Sequence, residues 1–137
     1  TRLRLPDANA ELVLFNTLGQ LAELVDRVNH PGLRMMVDTF HQHIEGNNPH
    51  QELRDVIRYV KHVHISENTR GIPGTGQVDF RPYFLELHRA GYDGWVTIEA
   101  FGQRLPELAA ATCIWRPLFP SEDTVLVESA KLLDSFI

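Results

Sequence analysis

The sequence predicts an α/β fold on a parallel sheet, about half of a closed (β/α)8 TIM barrel, with residues 1–137 making up that half of a single domain. Three observations predict it. Short apolar runs, "LRMMVDTF", "VHIS" and "GWVTIEAF", recur at intervals of about 26 to 35 residues, and helical patterns fill the gaps, which is the spacing of right-handed βαβ units. The composition, 43% hydrophobic and 23% charged, is that of an ordinary globular chain. A complete barrel takes about 250 residues, and the chain has 137. The competing architecture, a small open doubly wound sheet, normally has about four or five strands and gives no account of the residues at the strand ends.

The elements follow in order. After a polar, proline-containing lead, apolar residues at Leu14, Leu18, Leu21, Leu24, Val25 and Val28 set a helix over 14–28, and "HPG" at 30–32 ends it. "LRMMVDTF" at 33–40 reads as a buried strand. The loop "EGNNP" leads into a helix over 49–62 with Pro49 in its first turn. "VHIS" at 63–66 is the second strand, "ENTRGIPGTGQVD" a glycine-rich loop, and "FRPYFLELHRAG" a helix closed by Gly91. "GWVTIEAF" at 94–101 is the third strand. A long loop containing "IWRPLFPSED" precedes a last helix over 124–137, for which Ser121 and Asp123 are both suitable N-caps.

Composition narrows the function classes. A formal charge of −5 offers no footprint for a polyanion, which argues against a nucleic acid or an anionic membrane as partner. The single cysteine, Cys113, has no internal disulfide partner, and the apolar runs fall far short of the roughly 20 residues a membrane span needs. A cytoplasmic protein is expected. The first residue is a threonine with no targeting segment after it, so the chain reads as part of a longer one.

Aligned on their C-terminal ends, the strands read "MMVD", "KHVH" and "VTIE" and stop on Asp38, His64 and Glu99. Singly, each has an ordinary reading: a helix cap, a satisfied core histidine, a solvated rim carboxylate. Jointly they point elsewhere, because the C-terminal strand ends of a parallel barrel are where its pocket is built. Two carboxylates and an imidazole with no thiolate suit a hard or borderline divalent ion, Mn²⁺, Mg²⁺ or Co²⁺, better than structural zinc. The set is one ligand short of a comfortable cage.

"DTFHQHIEG", "HVHISENTRGIPGTGQVDF" and "GYDGWVTIEAF", in that order, resemble the second half of the xylose-isomerase-like TIM-barrel superfamily, most nearly its ketose 3-epimerase branch, which acts on tagatose and psicose. The resemblance implies the C-terminal half of a barrel, helix 5 to helix 8. It also implies metal ligands at Asp38, His64 and Glu99, with Glu99 doubling as a catalytic acid or base. His41, closing D-T-F-H, and Arg70, closing H-x-x-E-x-x-R, are implied contacts to substrate oxygens. The implied reaction is epimerisation of a ketose at C3 through an enediolate, with Mn²⁺ as the first choice of ion and Mg²⁺ or Co²⁺ next. The family's other catalytic carboxylate falls just upstream of Thr1, before a dipeptide that "TR" at 1 and 2 echoes. The partners implied are a small sugar and either further copies of the chain or the N-terminal half of the barrel. Hydroxypyruvate-isomerase-like and inosose-dehydratase-like chemistry, and a catalytically silent half-barrel, are the alternatives. An endonuclease-IV-like nuclease needs more metal ligands and a basic face, and neither is seen.

Other residues draw weaker readings. "GIPGTG" lacks both the Lys-Ser/Thr ending and the G-x-G-x-x-G spacing of nucleotide loops, and its glycines are expected to shape the pocket lip. His62 shares a strand face with His64 and is expected to pack inside the barrel. His43, Glu67 and Trp115 stand between pocket lining and packing, and Arg116 with Phe119–Pro120 between surface and oligomer contact.

Overall fold

Thr17 starts the first helix. Its hydroxyl accepts from the Gln20 amide at 3.3 Å, so α1 runs from Leu18 to Val28 rather than from Leu14, which lies outside the described residues. A computed structural model describes residues 15–136. Leu18, Ala22 and Val25, spaced at helical period, form the buried stripe of α1, and Asn29 closes it in the left-handed region at φ 45°.

β1 (Met35–Asp38) is shorter than the apolar run predicts, because Thr39–Glu45 turns at once into a helix, α2. The cause is local: Asp38 caps α2, its Oδ1 accepting from the amides of Phe40 at 2.8 Å and His41 at 3.3 Å. Helix α3 covers Pro49–Val56 and passes through a 3₁₀ turn, Ile57–Tyr59, into β2, Val60–Ser66. The expected helix to residue 62 therefore ends early: Val60, Lys61 and His62 are taken into the sheet, where the branched side chain of Val60 packs well. β2 also runs two residues past His64. Helix α4 (Phe80–Arg89), β3 (Trp95–Glu99), a short helix α5 (Pro106–Ala111) inside the expected long loop, and α6 (Glu122–Asp134) complete the order. Ser121 is the cap of α6, accepting from the Thr124 amide at 3.2 Å.

Among the described residues the three strands form one parallel sheet in the order β1-β2-β3. Asp38 lies level with His64, and His64 with Thr97, while Glu99 lies level with Ser66. One face of this sheet, carrying Met35, Val37, Val63 and Ile65, meets α1, α3 and α4 in a buried core with Leu18, Leu53, Phe80, Tyr83 and Leu87. Arg54 of α3 forks onto Glu86 of α4 with bonds of 2.8 and 2.7 Å, and Arg89 adds a third at 2.9 Å. The opposite face carries the polar strand residues. No helix among the described residues is long and apolar enough to cross a membrane.

Candidate metal centre and substrate site

Asp38, His64 and Glu99 offer donor atoms that all lie within 4.8 Å of one another, and they are the only such group of three among the described residues. Alternation places each side chain on the face away from the helices. The residue types match the register. Asp38 is level with His64 and reaches it with a short side chain, Oδ2 standing 3.8 Å from Nδ1. Glu99 lies two residues farther along its strand, a step of about 6.6 Å, and its longer side chain folds back to bring Oε2 within 2.8 Å of His64 Nδ1.

Asp38 satisfies both of its readings at once. Oδ1 caps α2, which leaves Oδ2 facing the histidine. The junction is pinned by Thr39, whose hydroxyl donates to the Ser66 carbonyl at 2.7 Å and accepts from the Ser66 amide at 2.8 Å. Burial pushes the Asp38 carboxyl above its usual range, and the negative charge of Glu99 pushes it further the same way. Two acidic groups are thus held together where their charges oppose each other.

Those features fit a divalent cation. Ligand atoms around an octahedral ion lie about 3 Å apart for neighbours and about 4 Å for opposite positions, close to the spacings found. An ion between the carboxylates would also relieve their repulsion.

Arg70 sits on the second oxygen of Glu99, its Nη1 donating to Oε1. Its guanidinium lies over the Phe40 ring, 3.5 Å from the centroid, and the Phe101 ring centroid is 5.0 Å away. Nη2 stands 3.5 Å from His41 Nε2. The structure therefore brings all five sequence-predicted residues to one place. A hollow of about 200 Å³ opens beside Asp38 and His41, lined in part by Gln42 and Met36.

The remaining candidates separate. His62 faces the same side as His64, with Nε2 3.1 Å from the Thr97 hydroxyl. His43 and Trp115 are exposed, and Glu67 is fully buried. Sequence reasoning passed over Phe40 and Phe101. Their signal was present: each lies two residues beyond a ligand-type residue, Asp38 and Glu99, where the chain leaves the strand.

A ketose 3-epimerase of Arthrobacter globiformis is 36% identical over 115 residues, covering 82% of this chain and 40% of that protein. An L-ribulose 3-epimerase of a Methylomonas species is 34% identical over 125 residues, covering 90% and 44%. Among solved structures, a Methylomonas D-allulose 3-epimerase in complex with D-allulose superposes with a TM-score of 0.83 at 30% identity, again covering 90% of this chain and 44% of that one. The chain spans about two fifths of the length of these relatives. A family model described as the xylose isomerase-like TIM barrel matches residues 6–134. With its parallel sheet, its strand-end cluster and that match, the chain belongs to the xylose isomerase-like TIM-barrel family.

Proposed function

We propose that residues 1–137 are the C-terminal half of a TIM-barrel domain in a divalent-metal-dependent ketose 3-epimerase. The observation that carries the proposal is the meeting of Asp38, His64 and Glu99 beside Arg70 and His41. The 3-epimerase relatives, and the ketose bound to one related structure, support it.

In this reading Asp38, His64 and Glu99 hold the ion, Mn²⁺ in the first instance. A divalent ion bound there supplies Lewis-acid polarisation of the ketose carbonyl and stabilises the charge of the substrate's enediolate. Glu99 takes the proton from C3 or returns one to it, a role worth about 10²–10⁴-fold in rate. Inversion needs a second carboxylate on the other face of the sugar, and the proposal places it upstream of Thr1. Arg70 and His41 bind sugar oxygens. Arg70 suits this task because its planar fork offers several donors at once and lies against the Phe40 ring, with Phe101 nearby.

The test is to incubate the full-length protein with Mn²⁺ and a panel of ketohexoses in deuterated water. Deuterium at C3 is expected. Deuterium at C1 would replace the epimerase by an aldose–ketose isomerase. No exchange together with no metal binding would make the chain a silent barrel segment.

A further inference from the structure

Among the described residues, Glu67 is the one buried acid near the cluster that the proposed chemistry does not use. It begins the loop 67–79 and its side chain is fully buried. Oε1 accepts from the amides of Asn68 at 2.9 Å, Gln77 at 3.0 Å and Val78 at 2.9 Å, and Oε2 accepts from Gly74 at 2.9 Å. A single carboxylate thus gathers four backbone donors and ties the far end of the loop to the end of β2. The fit is tight. A Cβ at Gly76 would lie 2.6 Å from the Glu67 carboxyl carbon, so only glycine passes there.

Burying a carboxylate is costly unless its oxygens are satisfied, and the loop backbone supplies that satisfaction. What the arrangement delivers is Arg70. The Arg70 amide donates to the Glu67 carbonyl at 2.8 Å, and the Arg70 carbonyl accepts from the Phe101 amide at 2.8 Å. Between these two ties Arg70 holds φ at 64°, in the left-handed region that side chains avoid. From this backbone conformation the guanidinium reaches over the Phe40 ring, near Phe101, onto Glu99.

We propose that Glu67 is a positioning residue: its carboxylate shapes the loop 67–79 so that Arg70 is presented to Glu99 and to the sugar. The part concerning the sugar rests on the epimerase reading; the part concerning Arg70 does not. The choice of acid has a chemical reason. Only a carboxylate offers acceptors on both oxygens, whereas a glutamine of the same shape turns an NH₂ group against the Gly74 amide or against those of Gln77 and Val78.

Glu67→Gln in the full-length protein tests this with two readouts. The first is the rate at which phenylglyoxal modifies Arg70, followed by peptide mass mapping. In the wild-type protein slow modification is expected of Arg70, its side chain being 12% exposed, whereas Arg104 at 81% is expected to react fast and serves as the internal reference. Glu67→Gln is expected to speed modification of Arg70 several-fold and leave Arg104 unchanged. A cooperatively folded variant in which Arg70 stays protected overturns the proposal.

The second readout is a double-mutant cycle on KM. Glu67→Gln is expected to raise KM about tenfold, the size expected when one hydrogen bond to a charged group is lost, with kcat much less affected. In an Arg70→Ala background it should add nothing, because the effect passes through Arg70. Losses that multiply instead would assign Glu67 a general structural role and overturn the proposal. Should Glu67→Gln fail to fold, Gly76→Ala disturbs the same carboxylate from the other side and is scored identically. A wild-type protein with no epimerase activity would defeat the functional reading alone, since the modification rates still decide the role of Glu67.

Discussion

The two faces of β2 differ in what they touch. Val63 and Ile65 point into the helices and are sealed in the core, while His62, His64 and Ser66 alternate with them on the side that meets Asp38, Thr97 and Glu99. Both sets hang from one backbone ladder. The apolar face fixes where the strand lies, and the polar face spends that fixity on holding an imidazole between two acids that repel each other. In the proposed reading stability and chemistry fall to alternate residues, and substitutions on the two faces should have separable effects.

Four measurements break or sharpen that contrast. The largest effect is expected from Glu99→Gln. It should lower kcat about 10²–10⁴-fold with little change in the thermal midpoint; activity within tenfold of wild type would remove Glu99 from the chemistry. On the other face, Ile65→Ala should cost about 2–5 kcal/mol in urea unfolding, while the protein that remains folded keeps its affinity for Mn²⁺. A loss of metal affinity matching the loss of stability would deny the separation.

Mn²⁺ itself should stabilise the wild-type protein, by about 2.7 kcal/mol at a hundredfold excess over its Kd, and Asp38→Asn should abolish most of this. The pH dependence has a definite sign. The folded-state pKa of Asp38 lies above its usual value, through burial first and the Glu99 charge second. Its ionised form therefore costs stability above that raised pKa, and the cost is relieved as pH falls toward the unfolded value. Protons and metal ions compete for the same oxygens, so the stabilisation by Mn²⁺ should shrink as pH falls through the carboxylate range. Stabilisation that is flat with pH would place the ion elsewhere.

The smallest effect belongs to the α3–α4 clamp, on the structural side. Bonding from Arg54 holds the Glu86 carboxyl below its ordinary 4.5. A carboxyl with a lowered native pKa contributes stability that is present above its unfolded pKa and lost as pH falls through the native one. Glu86→Gln should therefore show a flatter acid limb below about pH 4.5 than the wild-type protein, with activity at neutral pH unchanged. An identical acid limb in the two proteins would show that the clamp contributes nothing.

Much of this was legible in the chain itself. Asp38 and Glu99 end their strands and His64 stands two residues short of the end of β2; parallel strands place such residues near one rim, so their meeting needed no knowledge of side-chain positions. The turn at Asp38 was harder. The apolar run continues through Thr39 and Phe40, and only the capping of two amides by the aspartate ends the strand four residues in. α5 was hidden for the opposite reason: "PELAAA" carries no apolar stripe long enough to stand out from a loop. The role of Glu67 was out of reach, because its four donors come from residues up to eleven positions away that the glycine-rich loop folds back onto it.

By itself, the sequence determined the alternation of strand and helix, the parallel sheet and which residue types stand at its rim, because these depend on hydrophobic period and local capping. The tertiary structure decided which oxygen of Asp38 faces the histidine, how Glu99 reaches back across a two-residue offset, and how Arg70 comes to lie over the Phe40 ring and on Glu99. Those outcomes depend on register between strands and on backbone donors brought together by loop closure, and neither is written in any local stretch of residues.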